Sequence, residues 1–187
     1  MTPRYTQAIH FAAAAHEGQR RKGTSIPYIV HPVAVAALVA EYGGDEDQQI
    51  AALLHDVLED GGPHFAPDIE RRFGQRVLSI VQACTDGVPD ANGVKQPWEI
   101  RKRDYLEHLA SASDDMLLVS ACDKFSNAQA IVADLQKIGW AVFERFTAKR
   151  DGTIWYYQEL SRVFSERNSP VASALKETVN KMVGFPN

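Results

Sequence analysis

The stretch Leu53-Leu54-His55-Asp56-Val57-Leu58-Glu59-Asp60 sets four polar groups beside an apolar stripe. Together with Ile50, the apolar members Leu53, Leu54, Val57 and Leu58 fall at i, i+3, i+4, i+7 and i+8, the spacing of a helix with one buried face. His55 and Glu59 are four apart, as are Asp56 and Asp60, so each pair shares a neighbourhood near the last turn. Gly61-Gly62-Pro63 stops the helix. Three carboxylates at a helix C-terminus oppose the macrodipole by about 0.3–1 kcal/mol each, and they repel one another. A purely structural end would favour Lys or Arg, whereas a bound divalent cation removes the conflict. A solvated acidic helix end with a satisfied histidine is the ordinary alternative, and an adjacent His-Asp pair does not choose between them.

Outward from this stretch the apolar spacing stays helical, and no segment alternates with a period of two. Asp45 with Gln48 resembles a capping box and starts the decisive helix. Before it, helices are expected over about Thr6–Glu17 and from Pro32 to about Tyr42, where Gly43-Gly44 ends the second. A basic loop, Arg20 to Val30, joins them. After it come Pro67–Phe73, Gln75–Cys84, Pro97–Ala110 and Asp114–Leu135. Helical segments around Trp140–Phe146, Thr153–Ser165 and Pro170–Val183 complete an all-α bundle. Asp86 to Gln96 is the most loop-like stretch.

A chain of 187 residues, 45% hydrophobic and 24% charged, fits one globular domain spanning 1–187. No apolar run approaches the roughly 20 residues of a membrane span, and the N-terminus lacks the layout of a secretory signal. Cys84 and Cys122 sit in apolar helical patterns without CxxC spacing and read as buried small hydrophobes in a reduced, cytoplasmic setting. A net charge of -4 offers no global field for nucleic acid. An anionic ligand therefore needs local cations, and Arg20-Arg21-Lys22, Arg101-Lys102-Arg103 and Lys149-Arg150 are the candidate clusters. Trp98, Trp140 and Trp155 read as packing anchors, and His10, His16, His64 and His108 have no evident partner set.

Two further residues bear on the chemistry. His31, in Pro27-Tyr28-Ile29-Val30-His31-Pro32, lies where a helix begins and its imidazole can enter a cleft; by itself it reads more readily as a core or capping histidine. Asp123 sits mid-helix among Val119, Ala121, Cys122 and Phe125. A carboxylate in such a stripe needs a partner, either a base such as Lys124 or a metal. His31, His55, Asp56 and Asp123 together supply nitrogen and oxygen ligands and no thiolate. That set suits Mn²⁺ or a similar octahedral ion better than a closed structural zinc site.

Arg21-Lys22-Gly23, Pro27-Tyr28-Ile29-Val30-His31-Pro32, the His55-Asp56 stretch, Phe73-Gly74 and Asp123-Lys124-Phe125-Ser126-Asn127 occur in that order. In these motifs the chain resembles the hydrolase domain of RelA/SpoT-type alarmone enzymes, and especially the stand-alone small alarmone hydrolases. The likeness covers about residues 4 to 160. It implies an all-α HD-domain fold and Mn²⁺-dependent removal of the 3′-pyrophosphate from guanosine 3′,5′-bis(diphosphate) or its 5′-triphosphate form, giving GDP or GTP respectively, with pyrophosphate. It assigns the metal to His31, His55, Asp56 and Asp123, and places Glu59 and Asp60 beside the activated water as acid/base and positioning groups. Arg21 would stack on the guanine, Lys22 and Asn127 would face the ribose–phosphate region, and Tyr156 or Tyr157 would line the pocket. The length leaves no room for a synthetase domain, so degradation without synthesis is expected.

The chain also departs from the family. Where relatives carry His or Tyr before the Asn, it has Ser126, which alters a wall expected near the ribose. The spacing of the basic loop leaves Arg20 and Arg21 as alternatives for the base. Phe125-Ser126 keeps another nucleotide open as substrate, such as the 2′-phosphate of NADPH. A non-catalytic nucleotide-binding module is the rival of another class, although it would have no need of Glu59 and Asp60.

Overall fold

Thr2 opens the first helix: its hydroxyl accepts the Tyr5 N–H, and Pro3 occupies the first turn, where a missing donor costs nothing. The computed structural model of the chain describes residues 2–86 and 94–186. With that cap, α1 (Pro3–Ala15) begins ahead of the expected Thr6. α2 (Val30–Glu41) carries Pro32 in its first turn and ends before Gly43, whose φ of +84° turns the chain away. α3 (Glu46–Leu54) starts on the expected capping box. Asp45 Oδ1 accepts the Gln48 N–H at 3.0 Å, and Gln48 Oε1 accepts the Asp45 N–H at 2.9 Å.

The main departure lies in the decisive stretch itself. The α-helix stops at Leu54, and Val57–Gly61 form a π-helical turn instead of a continuing α-turn. Gly61 and Gly62 permit it: a Cβ at Gly61 would stand 2.7 Å from the Phe65 ring, and Gly62 has a φ of +107°. The wider turn changes the angle between successive side chains, so Glu59 and Asp60 leave it in different directions.

α4 (Ala66–Phe73) and α5 (Gln75–Cys84) meet at Gly74, with a φ of +88°. α6 (Trp98–Ser111) and α7 (Asp114–Ile138) follow, then a 3-10 segment, Gly139–Arg145. α8 (Lys149–Glu166) and α9 (Ala172–Val183) close the order. The expected loop from Asp86 to Gln96 falls mostly on residues 87–93, outside the described residues. Among the described residues there is no strand, only an isolated antiparallel bridge between Arg20 and Pro27 that folds the basic loop back on itself.

α7 is the central element, packed against α2, α3, α5, α8 and α9. Leu53 and Leu54 are fully buried. At about 1.5–3 kcal/mol for each such side chain, they fix the rotation of α3 and therefore the direction in which His55 and Asp56 leave it. Cys84 and Cys122 are free and buried, as expected. No helix among the described residues is long and apolar enough to cross a membrane.

Candidate functional site

Three separate pieces of chain meet at one point. His31 comes from the first turn of α2, His55 and Asp56 from the end of α3, and Asp123 from the buried face of α7. The ligand atoms of His31, His55 and Asp123 lie within 4.8 Å of one another. His31 Nε2 stands 3.0 Å from Asp123 Oδ1 and 3.6 Å from Asp56 Oδ2, while His55 Nε2 stands 3.0 Å from Asp56 Oδ2 and 3.5 Å from Asp123 Oδ1. All four residues expected at the metal are thus together.

The hydrogen bonding of His55 tests whether a cation fits. Its Nδ1 lies 2.7 Å from the Ala52 carbonyl, which can only accept, so Nδ1 carries the proton. In the neutral ring Nε2 then holds a bare lone pair, fully buried and without a hydrogen-bond partner. That lone pair points among carboxylate oxygens, a repulsive arrangement unless a positive charge stands between them. Burial alone would lower the His55 pKa, but the negative charges of Asp56 and Asp123 push it well above the ordinary value, the same demand for positive charge at Nε2 that a cation would meet. Burial lowers His31, with Asp123 opposing. Burial would raise both carboxyls. Instead His55 holds Asp56 below the usual range, and Lys124 with the two imidazoles does the same for Asp123. Two imidazole nitrogens facing two ionised carboxylates form a donor set that a divalent cation satisfies.

Asp123 has the base partner expected from its sequence position, and only one of its oxygens is taken up by it. Its Oδ2 pairs with Lys124 Nζ at 2.7 Å, while its Oδ1 faces the histidines. Tyr28 donates its hydroxyl to Asp56 Oδ2 at 2.6 Å. Ser126, expected at a ribose wall, has its Oγ 3.5 Å from His31 Nδ1, behind the centre.

Glu59 and Asp60 diverge from the π-turn. Glu59 Oε1 accepts Lys95 Nζ at 2.9 Å, and its Oε2 accepts the Asp86 N–H at 3.3 Å. Asp60 turns the other way, and its Oδ2 accepts Gln19 Nε2 at 2.8 Å. The two carboxylates, three and four residues past Asp56, are thus each held by a different neighbour.

The basic loop separates its cations. Arg20 bonds the Ser25 carbonyl at the surface, whereas Arg21 turns inward, over the Tyr28 ring and onto Asn127 Oδ1 at 2.6 Å. Arg21 is thus the one that faces the site, and Lys22 is exposed beside it. Gly23 keeps the loop close to Arg145, since a Cβ there would lie 2.7 Å from that side chain.

The remaining candidates scatter. Tyr156 is buried against Trp98, with Lys102 over its ring and its hydroxyl unpartnered. Tyr157 is also buried, and burial pushes its phenol up while Lys124 and, less, Arg21 pull it back. Arg101 and Lys102 converge on buried Asp86, and Arg103 pairs with Glu99. Lys149 pairs with Glu144 and Arg150 covers Trp140. Tyr28, Gln19, Lys95 and Asp86 escaped the sequence reading. Of these, only Tyr28 carried a signal, lying within the motif that contains His31.

The HD domain family matches residues 8–154. A guanosine-3′,5′-bis(diphosphate) 3′-pyrophosphohydrolase MESH1 of Xenopus tropicalis is 38% identical over 141 residues, which are 72% of this chain and 73% of that protein. A guanosine-3′,5′-bis(diphosphate) 3′-pyrophosphohydrolase of Aquifex aeolicus is 37% identical over 126 residues, 67% of this chain and 17% of that much longer protein. A solved structure, described as a metazoan ortholog of SpoT that hydrolyzes ppGpp and plays a role in starvation responses, superimposes with a TM-score of 0.77 at 27% identity. It covers 100% of this chain and 98% of its own.

Proposed function

The chain belongs to the HD domain family, and from that membership we propose that it hydrolyses off the 3′-pyrophosphate of guanosine 3′,5′-bis(diphosphate), releasing GDP and pyrophosphate, or GTP and pyrophosphate from the 5′-triphosphate form of the same nucleotide. It is a metal-dependent phosphohydrolase acting on a small nucleotide, and in our reading the whole of 1–187 serves as one hydrolase domain in the cytoplasm. The observation that carries the reading is the convergence of His31, His55 and Asp123 within 4.8 Å, with Asp56 Oδ2 against both imidazoles. The same named activity in relatives along most of the chain supports the substrate.

His31, His55, Asp56 and Asp123 would hold the ion, which we take as Mn²⁺ from the mixed nitrogen and oxygen donors. When bound, a divalent ion supplies a water whose pKa falls to about 7 and charge stabilisation at a phosphoryl oxygen. Lys124 keeps the far oxygen of Asp123 paired, so its near oxygen stays directed at the centre. Glu59, steadied by Lys95 and the Asp86 N–H, receives the proton of the attacking water and can return it to the leaving oxygen. Asp60 orients the same water from the opposite side. Arg21 offers a planar guanidinium face to the guanine, and Lys22 and Asn127 approach the ribose and phosphates. In-line displacement at phosphorus needs this positioning and neutralisation more than covalent help.

The test is pyrophosphate release from the alarmone with Mn²⁺, for the wild type and Asp123→Ala, beside NADPH as a competing substrate. Release by the wild type, and none by the variant, is expected. Robust turnover by Asp123→Ala would contradict the ligand set, and phosphate release from NADPH alone would replace the substrate.

A further inference from the structure

Asp60 is exposed, so its carboxylate has no packing to hold it, yet its charge reaches the Tyr28 phenol that holds Asp56. What steadies it is Gln19, whose Nε2 donates to Asp60 Oδ2 at 2.8 Å. An ionised carboxylate only accepts, so the amide nitrogen of Gln19 must face Asp60 and its oxygen must face away. That oxygen, Oε1, lies 2.7 Å from His16 Nδ1. An amide oxygen only accepts too, which leaves His16 Nδ1 as the donor.

The backbone supports this chain of donors. His16 caps the end of α1, donating its N–H to the Ala12 carbonyl at 3.0 Å. Gly18, with a φ of +74°, reverses the direction of the chain so that the Gln19 side chain returns over His16. The Gln19 N–H donates to the His16 carbonyl at 3.1 Å, and its carbonyl accepts the Tyr28 N–H at 3.0 Å. The His16 ring, 4% exposed, lies 4.8 Å from the Tyr28 ring, whose hydroxyl holds Asp56. One buried imidazole thus stands behind both Asp60 and Asp56. Its Nε2 is buried without a partner, a cost that an apolar residue of the same volume would avoid.

We propose that His16 and Gln19 are positioning residues, a relay in which the Nδ1–H tautomer of His16 sets the Gln19 amide and the amide fixes the Asp60 carboxylate beside the metal centre. The role of Asp60 in turnover rests on the alarmone hydrolase reading. The relay geometry does not.

Two measurements on the full chain test it. Long-range ¹H–¹⁵N correlation of the imidazoles, with diamagnetic Mg²⁺ in the centre, reads the tautomer and the exchange of the Gln19 amide without any turnover. The expected result is a protonated Nδ1, a bare Nε2 and a slowly exchanging amide; a protonated Nε2 overturns the relay. Kinetics with Mn²⁺ form the second arm. Gln19→Ala and His16→Leu are expected to lower kcat by about 10–100-fold, the range for groups that orient a metal site's own side chains, with KM and Mn²⁺ affinity changed by less than about twofold. His16→Asn, whose amide nitrogen sits where Nδ1 was, is expected to regain most of the lost rate. Wild-type kcat in Gln19→Ala, a kcat loss matched by lost Mn²⁺ affinity, or no rescue by His16→Asn would each overturn the proposal. If His16→Leu does not fold, Gln19→Ala and the tautomer decide. A wild-type protein that releases no pyrophosphate overturns the substrate reading, and the tautomer then still judges the relay.

Discussion

Asn127, one turn beyond Asp123 on α7, donates its Nδ2–H to Asp123 Oδ1 at 2.6 Å. Its own Oδ1 accepts Arg21 at 2.6 Å, so both polar ends of one amide are engaged. The residue expected to face the ribose is also the tie between the basic loop and the metal centre. A change at the loop and a change at the centre are therefore coupled through a single side chain.

Asn127→Ala removes that tie. Arg21 loses its anchor and Asp123 loses one of its hydrogen bonds, so KM is expected to rise and kcat to fall, with kcat/KM down about 10–100-fold. Steady-state kinetics on the alarmone checks this, and unchanged constants would mean that the tie carries no function.

Metal binding is expected to stabilise the fold as well as enable turnover, because the four donors converge only in the folded chain. Mn²⁺ at 100 times its Kd adds about 2.7 kcal/mol. For a domain of this size that raises the Tm by roughly 5–10 °C. Thermal melts with Mn²⁺ and with a chelator check it. Asp123→Ala should melt at the same temperature in both, and a rise equal to that of the wild type would count against its place in the centre.

Asp45 caps α3, the helix that delivers His55 and Asp56. Slight burial raises its carboxyl pKa, but the Gln48 N–H and the charge of Arg76 outweigh this and hold it below the usual value. A folded pKa below the unfolded value of about 3.9 stabilises above that pH, and the contribution disappears as pH falls through the lower folded value. Asp45→Ala is expected to cost about 1 kcal/mol at neutral pH. The gap between the two proteins should close in acid, and melts recorded from pH 7 downward would show it; a gap that persists at the acid end would exclude the carboxylate cap as its source.

Cys84 and Cys122 are buried, and burial pushes both thiols up, Cys122 to about 12. Neither is expected to react with a disulfide reagent at pH 8 in the native protein, while both should react in denaturant. Rapid modification of the folded chain would show that one of the helices carrying them opens readily.

The α-helical layout was legible because its signals are local. Ile50, Leu53 and Leu54 mark the buried face by their spacing, Asp45 with Gln48 marks a start, and Gly74 marks a stop. The four candidate ligands were legible for another reason: carboxylates and imidazoles stand in segments that otherwise read as core, where an uncompensated polar group is costly. The π-turn at Val57–Gly61 was not. A side-chain pattern of 3.6 residues continues through Leu58, and the close approach of the Phe65 ring to Gly61 at the end of the turn leaves no mark in that pattern.

Amino-acid order alone determined the helical class, the caps and the four donors, since each follows from spacing, backbone preference or the cost of burying charge within one segment. Only the tertiary structure decided who holds the catalytic candidates. Glu59 goes to Lys95 and Asp86, Asp60 to Gln19, Asp56 to Tyr28, and Arg21 rather than Arg20 to Asn127. Those partners lie far apart along the chain, and a hydrogen bond between distant residues leaves no periodicity behind. It exists because the packing of the helices brings the two groups, most such groups lying on the segments between helices, within about 3 Å of each other.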